Sequence, residues 1–317
     1  MPIKESAGTS PASYSINTRK ICGRRTEMAR AKKWTSADVP TRFVDGSNRR
    51  IAYRSLGDGP TLILCTRFRG TLDSWDPAFI DALAKRFRVV TFDYSGLGNS
   101  TGDPSYDPKS LARDVIELAD GLGVEKFAVG GWSLGGYAAQ IVAVVWPERV
   151  TQLVLIASSP PGESPHGPTP AFSAGSLKSH ATLDDEMMLF FEPMSVDSRD
   201  AARASRLRIG LRNTSRSPDV PEQLYLRLLR ESAHEDRFHD DGGYRDFLEG
   251  TDTPILVVSG DHDIGFPVEN WFSLPRRWRS LFLTVLPRSG NAVHHQFPEL
   301  VAHIVICFVE AQSTSAA

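Results

Sequence analysis

The sequence predicts an α/β fold: a mostly parallel eight-stranded sheet flanked by helices, with a helical insertion after the sixth strand. Three observations carry this. From Thr41 to about Glu310, short apolar and β-branched runs alternate with amphipathic ones, and parallel neighbours joined by helical crossovers are what such alternation builds. The alternation lapses between Ser158 and Thr251, where helical patterns follow one another, and resumes at Pro254. Midway lies Lys126–Ile141, KFAVGGWSLGGYAAQI. It reads as an apolar strand, a turn of small residues with a serine at its tip, and a helix.

Thr41–Val44 and Arg49–Ser55 read as two strands joined by the turn Asp45-Gly46-Ser47-Asn48. The second ends at the turn cluster Leu56–Pro60. Thr61–Cys65 and Arg88–Phe92 are short, nearly continuous apolar runs, as expected of strands covered on both faces. A short helix, Pro77–Arg86, separates them. Asp107-Pro108 opens the next helix, since an aspartate caps it and proline suits the first helical position. Leu111, Val115, Leu118 and Leu122 then share one face. The serine-tipped strand and a helix to about Val145 follow, then the strand Val150–Ala157.

The insertion, residues 158–251, starts as the Pro/Gly/Ser loop SSPPGESPHGPTP and continues with helical patterns around Glu186–Phe191, Ser198–Leu211 and Pro221–Ser232. Beyond it, Pro254–Ser259 is a strand, Val268–Trp278 a helix, Leu281–Leu286 the last strand and Glu299–Glu310 the closing helix. The core is therefore expected over 38–157 and 252–312, capped by 158–251. Residues 1–37 are set apart as a basic extension, because Met1–Lys33 is rich in Ser, Thr, Lys and Arg and has no apolar period. Arg24-Arg25 is followed by the polar run TEMARAKK, which does not fit a twin-arginine signal.

The chain has 317 residues, 41% hydrophobic and 23% charged, with a net charge of −2. That length buries a sizeable core, and the near-neutral balance argues against nucleic acid or an anionic membrane as partner. Cys22, Cys65 and Cys307 are odd in number and far apart, with no C-x-x-C, so neither a disulfide framework nor zinc is expected. Cys65 and Cys307 lie in apolar runs and read as buried thiols. No apolar run reaches membrane-spanning length, and a cytoplasmic location is the expectation.

Gly131-Trp132-Ser133-Leu134-Gly135 is a G-x-S-x-G pentapeptide. A serine on so tight a strand-to-helix bend has a strained backbone, and its neighbours two positions away must lack bulk. The bend lifts the hydroxyl clear of the sheet and points a helix N-terminus at it, so that the Leu134 N–H can stabilise an oxyanion. With this motif in place, the chain resembles the α/β-hydrolase superfamily from Thr41 to Gln312. Asp93–Ser100, DYSGLGNS, is similar to the family's D-x-x-G-x-G-x-S loop, and Ser259–Pro267, SGDHDIGFP, to the segment that carries the triad acid. The resemblance implies Ser133 as nucleophile, Asp263 as triad acid, the Phe68 N–H as second oxyanion donor, and no metal or organic cofactor.

Two departures stand out. Where the family has His-Gly after the third strand, this chain has Thr66-Arg67. Arg67 is then placed to orient a carbonyl, phenol or carboxylate of a substrate, or to pair with an aspartate. The base histidine should follow a glycine and precede a proline by seven residues; Gly290 and Pro298 are there, but the position holds Asn291. An amide oxygen is too weakly basic to take the serine proton. Three readings stay open: Asn291 replaces the histidine so that substrate is held without turnover; His294 serves as the base; or the chain is a non-hydrolysing relative that binds a ligand under its cap.

The expected activity is that of a serine hydrolase acting on an ester or lactone, disabled by Asn291. Alternatives sharing the triad are a C–C bond hydrolase and a cofactor-free haloperoxidase. Met187, Met188, Leu189, Phe190, Phe191 and Met194, with Leu224, Tyr225 and Leu228, form apolar stripes in the insertion. If they face Ser133, the substrate is bulky and apolar, an aromatic macrolactone such as zearalenone being one example. Trp132, Phe190 and Phe191 join Arg67 as candidate substrate-binding residues. The expected partner is thus a small hydrophobic ester or lactone rather than nucleic acid or membrane, and a homo-oligomer is left open.

Overall fold

Side chains of successive strand residues point to opposite faces of a sheet, so a strand buried on both sides needs apolar residues at every position. Phe127–Trp132 meets that condition, being buried throughout. The computed structural model describes residues 34–46, 48–231 and 238–314, and the segment from Trp34 onward forms one contact unit. The expected basic extension, apart from residues 34–37, lies outside the described residues, as does Cys22.

Eight strands are present: β1 (Arg42–Asp45), β2 (Arg50–Leu56), β3 (Thr61–Cys65), β4 (Arg88–Phe92), β5 (Phe127–Trp132), β6 (Val150–Ile156), β7 (Ile255–Gly260) and β8 (Leu281–Leu286). They form one sheet in the order β1-β2-β4-β3-β5-β6-β7-β8. The pairings β1–β2 and β2–β4 are antiparallel, and all the others are parallel. Residues of alternating parity feed two cores. Ile63, Val129 and Leu155 face one, and Leu64, Ala128 and Val154 the other.

Helices cover both faces. α1 (Pro77–Leu83) ends three residues before the expected Arg86, and a turn completes the segment. α2 (Pro108–Gly121) is capped by Asp107, whose carboxylate accepts the Ser110 N–H at 3.0 Å, and buries Leu111, Val115 and Leu118. α3 (Leu134–Val145) leaves directly from Ser133. The first core includes residues of α2 and α3, and the second residues of α1.

Between β6 and β7, among the described residues, stand five helices: α4 (Pro170–Ser176), α5 (Leu183–Phe190), α6 (Val196–Ile209), α7 (Glu222–Glu231) and α8 (Tyr244–Gly250). The sequence patterns had marked α5, α6 and α7 but neither α4 nor α8, which are only seven residues each. After β8 come α9 (Val293–Gln296) and α10 (Pro298–Thr314), the latter packing its Val301 and Val305 into the second core.

The insertion is tied to the core by buried polar contacts. Ser217 donates its hydroxyl to Asp93 Oδ2 at 2.6 Å and its N–H to Asp73 Oδ2 at 2.6 Å. Asp73 also pairs with Arg54 at 2.8 Å. On α6, Arg208 grips the buried Asp76 through Nε (2.8 Å) and Nη2 (2.6 Å).

Two expectations are corrected. Val268–Trp278 is not one helix but two 3-10 turns, Val268–Trp271 and Leu274–Arg276, because Pro275 cannot continue the first. Cys307 is exposed on α10, its sulfur 3.4 Å from His303 Nε2, whereas Cys65 is buried. Of the apolar stripe, Met188 and Met194 are exposed, while Met187, Tyr225 and Leu228 belong to the cores. Among the described residues no helix is long and apolar enough to cross a membrane.

Candidate active site

Ser133 has φ 57° and ψ −122°, a conformation an L-residue adopts only under constraint. Its surroundings supply that constraint. The Ser133 N–H donates to the Ile156 carbonyl at 3.0 Å, and the Ser133 carbonyl accepts the Ser158 hydroxyl at 2.9 Å. A Cβ on Gly131 would lie 2.1 Å from the Gly135 oxygen, and one on Gly135 would lie 2.2 Å from the Cys65 oxygen. Both glycines are therefore required by backbone packing. Gly136, outside the pentapeptide, is equally restricted: its Cβ would meet Ser158 Oγ at 2.3 Å.

Ser133 opens onto a cavity of about 1210 Å³ that Leu134, Phe68, Arg67 and Asn291 also line. Among the described residues, no turn, loop or cap carbonyl accepts from the Leu134 or Phe68 N–H. Phe68 is held edge-on against Tyr106 and Tyr225, with ring centroids 4.9 and 5.9 Å away.

Asp263 follows β7, and Asn291 follows β8. Asp263 Oδ1 accepts the N–H groups of Gly265 and Phe266, both at 2.9 Å, and Oδ2 accepts Asn291 Nδ2 at 3.0 Å. Asn291 Oδ1 in turn accepts the Trp132 indole N–H at 2.9 Å. The amide is thus engaged at both ends, by a carboxylate and by an indole, and only one orientation satisfies both neighbours. Burial pushes the Asp263 carboxyl from its ordinary 3.8 up to about 7, even though the two backbone N–H groups and the Asn291 amide pull it down. An imidazolium would stabilise the carboxylate by full charge; a neutral amide does much less.

His294 is elsewhere. It is fully buried in α9 and does not line the cavity. Its ring packs against those of Trp132, Phe79 and Trp75 at 4.6, 5.1 and 5.5 Å, and neither ring nitrogen has a hydrogen-bond partner. Burial holds its pKa well below the ordinary 6.5. His295, which reads from sequence as a loop residue, is also buried in α9, and burial lowers it to about 4.

Phe190 and Arg67 line the cavity, whereas Trp132 and Phe191 are buried behind its wall. Trp132 reaches the site through its bond to Asn291 and through its ring, which lies against Phe190 and Arg67. The lining is more polar than the stripes suggest: beside Leu189 and Phe190 stand Arg69, Glu186 and Asp219. Tyr106 and Tyr137 complete residues that no motif had flagged, since an aromatic just before a helix cap or within an apolar helix carries no signal of its own. Among the described residues no cluster of three or more His, Cys, Asp or Glu is placed to hold a metal ion.

A strained serine at a strand-to-helix bend shares its cavity with Asn291, which bonds a buried carboxyl after β7, and this α/β architecture defines the class. Over residues 60–298 the chain matches the alpha/beta hydrolase fold family, and it belongs to that family. It is 29% identical over 278 residues to the pimeloyl-[acyl-carrier protein] methyl ester esterase of Nitrosomonas europaea, covering 81% of this chain and 98% of that one. Among solved structures, it is similar to an alpha/beta hydrolase fold protein from Chitinophaga pinensis, with a TM-score of 0.73 and 25% identity over 86% of this chain and 97% of that one. The meta-cleavage product hydrolase of Pseudomonas fluorescens IP01 shares the fold at 18% identity, with a TM-score of 0.64 and coverage of 86% and 98%.

Proposed function

We propose that the chain is a serine-hydrolase scaffold that seats an ester or lactone carbonyl at Ser133 and, with asparagine at the base position, holds it without turnover. The observation that carries this reading is the Asn291 amide, bonded to Asp263 at 3.0 Å and to Trp132 at 2.9 Å. It fills the place of a triad base and has no basic nitrogen to offer. The esterase among the relatives supports an ester as the reacting group.

With histidine at 291, the ring nitrogen away from Asp263 takes the Ser133 proton as Oγ adds to the carbonyl carbon. The Leu134 and Phe68 N–H groups receive the oxyanion. The carbonyl re-forms as the alcohol departs with that proton, and water then cleaves the acyl-serine by the same route. With asparagine there, the hydroxyl proton has no acceptor and the first step stalls.

The test is hydrolysis of p-nitrophenyl esters, aliphatic lactones and an aromatic macrolactone by the chain and by Asn291→His, side by side. Turnover in the histidine form alone is the expected result. Equal turnover in both forms overturns the role given to Asn291, and turnover in neither overturns the hydrolase reading.

A further inference from the structure

Arg67 occupies an unusual position for a guanidinium. It lines the cavity beside Ser133, one residue before the expected oxyanion donor Phe68, and among the described residues it makes no ion pair. Its Nη1 donates to the Phe68 carbonyl at 2.7 Å. Its Nε is buried and has no hydrogen-bond partner. The guanidinium carbon lies 4.8 Å from the Phe190 ring centre and 5.2 Å from that of Trp132. Tyr106, on the same cavity wall, turns its buried hydroxyl toward the Arg69 backbone.

Such a group, here half-buried, is costly to withdraw from water unless something answers its charge. The cap carboxylates whose fields reach it, Glu186 and Asp219, both lie beyond ion-pairing distance, and Glu186 is bonded to Arg206 at 3.3 Å. Burial lowers the Arg67 pKa to about 10, which leaves it charged at neutral pH. A planar donor without an ion-pair partner, lying beside two aromatic rings, is suited to a carboxylate, which accepts two parallel N–H bonds.

We propose that Arg67 is an anion subsite and that the ester or lactone seated at Ser133 carries a carboxylate on the side of the carbonyl facing Arg67. The proposal rests on the reading of Ser133 as the carbonyl site and adds the substrate's charge to it.

Binding of mono-p-nitrophenyl glutarate and of its uncharged counterpart p-nitrophenyl pentanoate to the chain as it stands, followed by tryptophan fluorescence, tests this. The anionic ester is expected to bind about tenfold or more tightly. That preference is expected to vanish in Arg67→Met and to persist in weakened form in Arg67→Lys, where a point charge replaces the fork. Arg67→Gln serves as a second uncharged variant should Arg67→Met fail to fold. Equal affinities in the unaltered chain, no measurable binding of either ester, or a preference that survives in Arg67→Met or Arg67→Gln overturns the proposal. Failure of the hydrolase reading is seen separately, as Asn291→His that cleaves neither ester while the unaltered chain keeps its anion preference.

Discussion

Asn291 Nδ2 stands 3.0 Å from Asp263 Oδ2, joining the loops that follow the last two strands of the sheet. The amide reproduces what a triad histidine does toward its acid, donating one hydrogen to a buried carboxylate. It reproduces nothing of what the histidine does toward the serine, because an amide ends where an imidazole has its second nitrogen. The Trp132 indole occupies the remaining amide oxygen at 2.9 Å. On the proposed reading, a site with the acid, the elbow and the cavity in place lacks one proton acceptor.

Replacing Asn291 with histidine is expected to raise kcat/KM for a bound ester by about a thousandfold or more, since removal of a triad base costs on the order of 10⁴–10⁶ in turnover. Ser133→Ala in the same background should return the rate to that of the unaltered chain. His294→Ala should leave the rate of Asn291→His within a few-fold, because His294 is walled off among Trp75, Phe79 and Trp132. Turnover by the unaltered chain that is lost on His294→Ala would instead make His294 the base.

Asp263 predicts a pH dependence of stability with a definite sign. Its carboxyl ionises near the ordinary 3.8 when unfolded and near 7 when folded. The folded state thus retains a proton that the unfolded chain has released, and the corresponding stability is fully present below pH 4 and lost as pH rises to about 7. A shift of about three pKa units corresponds to roughly 4 kcal/mol. His294 and His295, whose pKa values are depressed by burial, act in the opposite sense: their contribution is present above about 6.5 and lost as pH falls. Urea denaturation of the chain and of Asp263→Asn between pH 5 and 8 separates the two effects. The stability of the chain relative to Asp263→Asn should fall across that range, and a pH-independent difference would show that the carboxyl is already ionised when folded.

The strands were legible because strands covered on both faces leave nearly continuous apolar runs, as in Thr61–Cys65 and Arg88–Phe92, which appear with the same limits in the structure. Ser133 was legible because a local bend demands glycines at fixed offsets. The bond between Trp132 and Asn291 was not, as it spans 159 residues and the spacing rules that place each residue do not say what its side chain touches. The insertion shows the same limit. Helical period marks α5 and α7 but does not say which face meets the cavity, and so Leu189 lines it while Met187 is packed into a core and Met188 is exposed.

Gly135→Ala tests whether the elbow is as tightly built as its distances state. The added methyl would sit 2.2 Å from the Cys65 oxygen and 2.5 Å from the Thr66 oxygen, and both are backbone atoms that cannot move without shifting β3. A loss of about 3 kcal/mol or more is expected by urea denaturation. In the Asn291→His background, hydrolysis should be lost together with the displaced loop that carries Phe68. A variant with unchanged stability and activity would mean that the loop yields easily and that the strain at Ser133 is not maintained by it.

Ser217 is where the insertion meets a buried charge. Its hydroxyl donates to Asp93 Oδ2 at 2.6 Å and accepts from Asn99 Nδ2 at 2.9 Å. Ser217→Ala removes both bonds while leaving Asp93 the N–H groups of Leu72 and Asn99, at 2.7 and 2.8 Å. The expected cost is about 1–2 kcal/mol at neutral pH. Burial already raises the Asp93 carboxyl above its ordinary range, and the Ser217 bond is one of the contacts that hold it down. Without that bond the folded-state pKa climbs further, so the deficit should widen as pH rises past the raised folded-state pKa of Asp93 in the unaltered chain, where that carboxyl ionises while the variant's still holds its proton. Denaturation midpoints of the chain and of Ser217→Ala at pH 5 and pH 8 decide the matter. A larger gap at pH 8 supports a charge-bearing contact, and equal gaps would reduce Ser217 to ordinary packing.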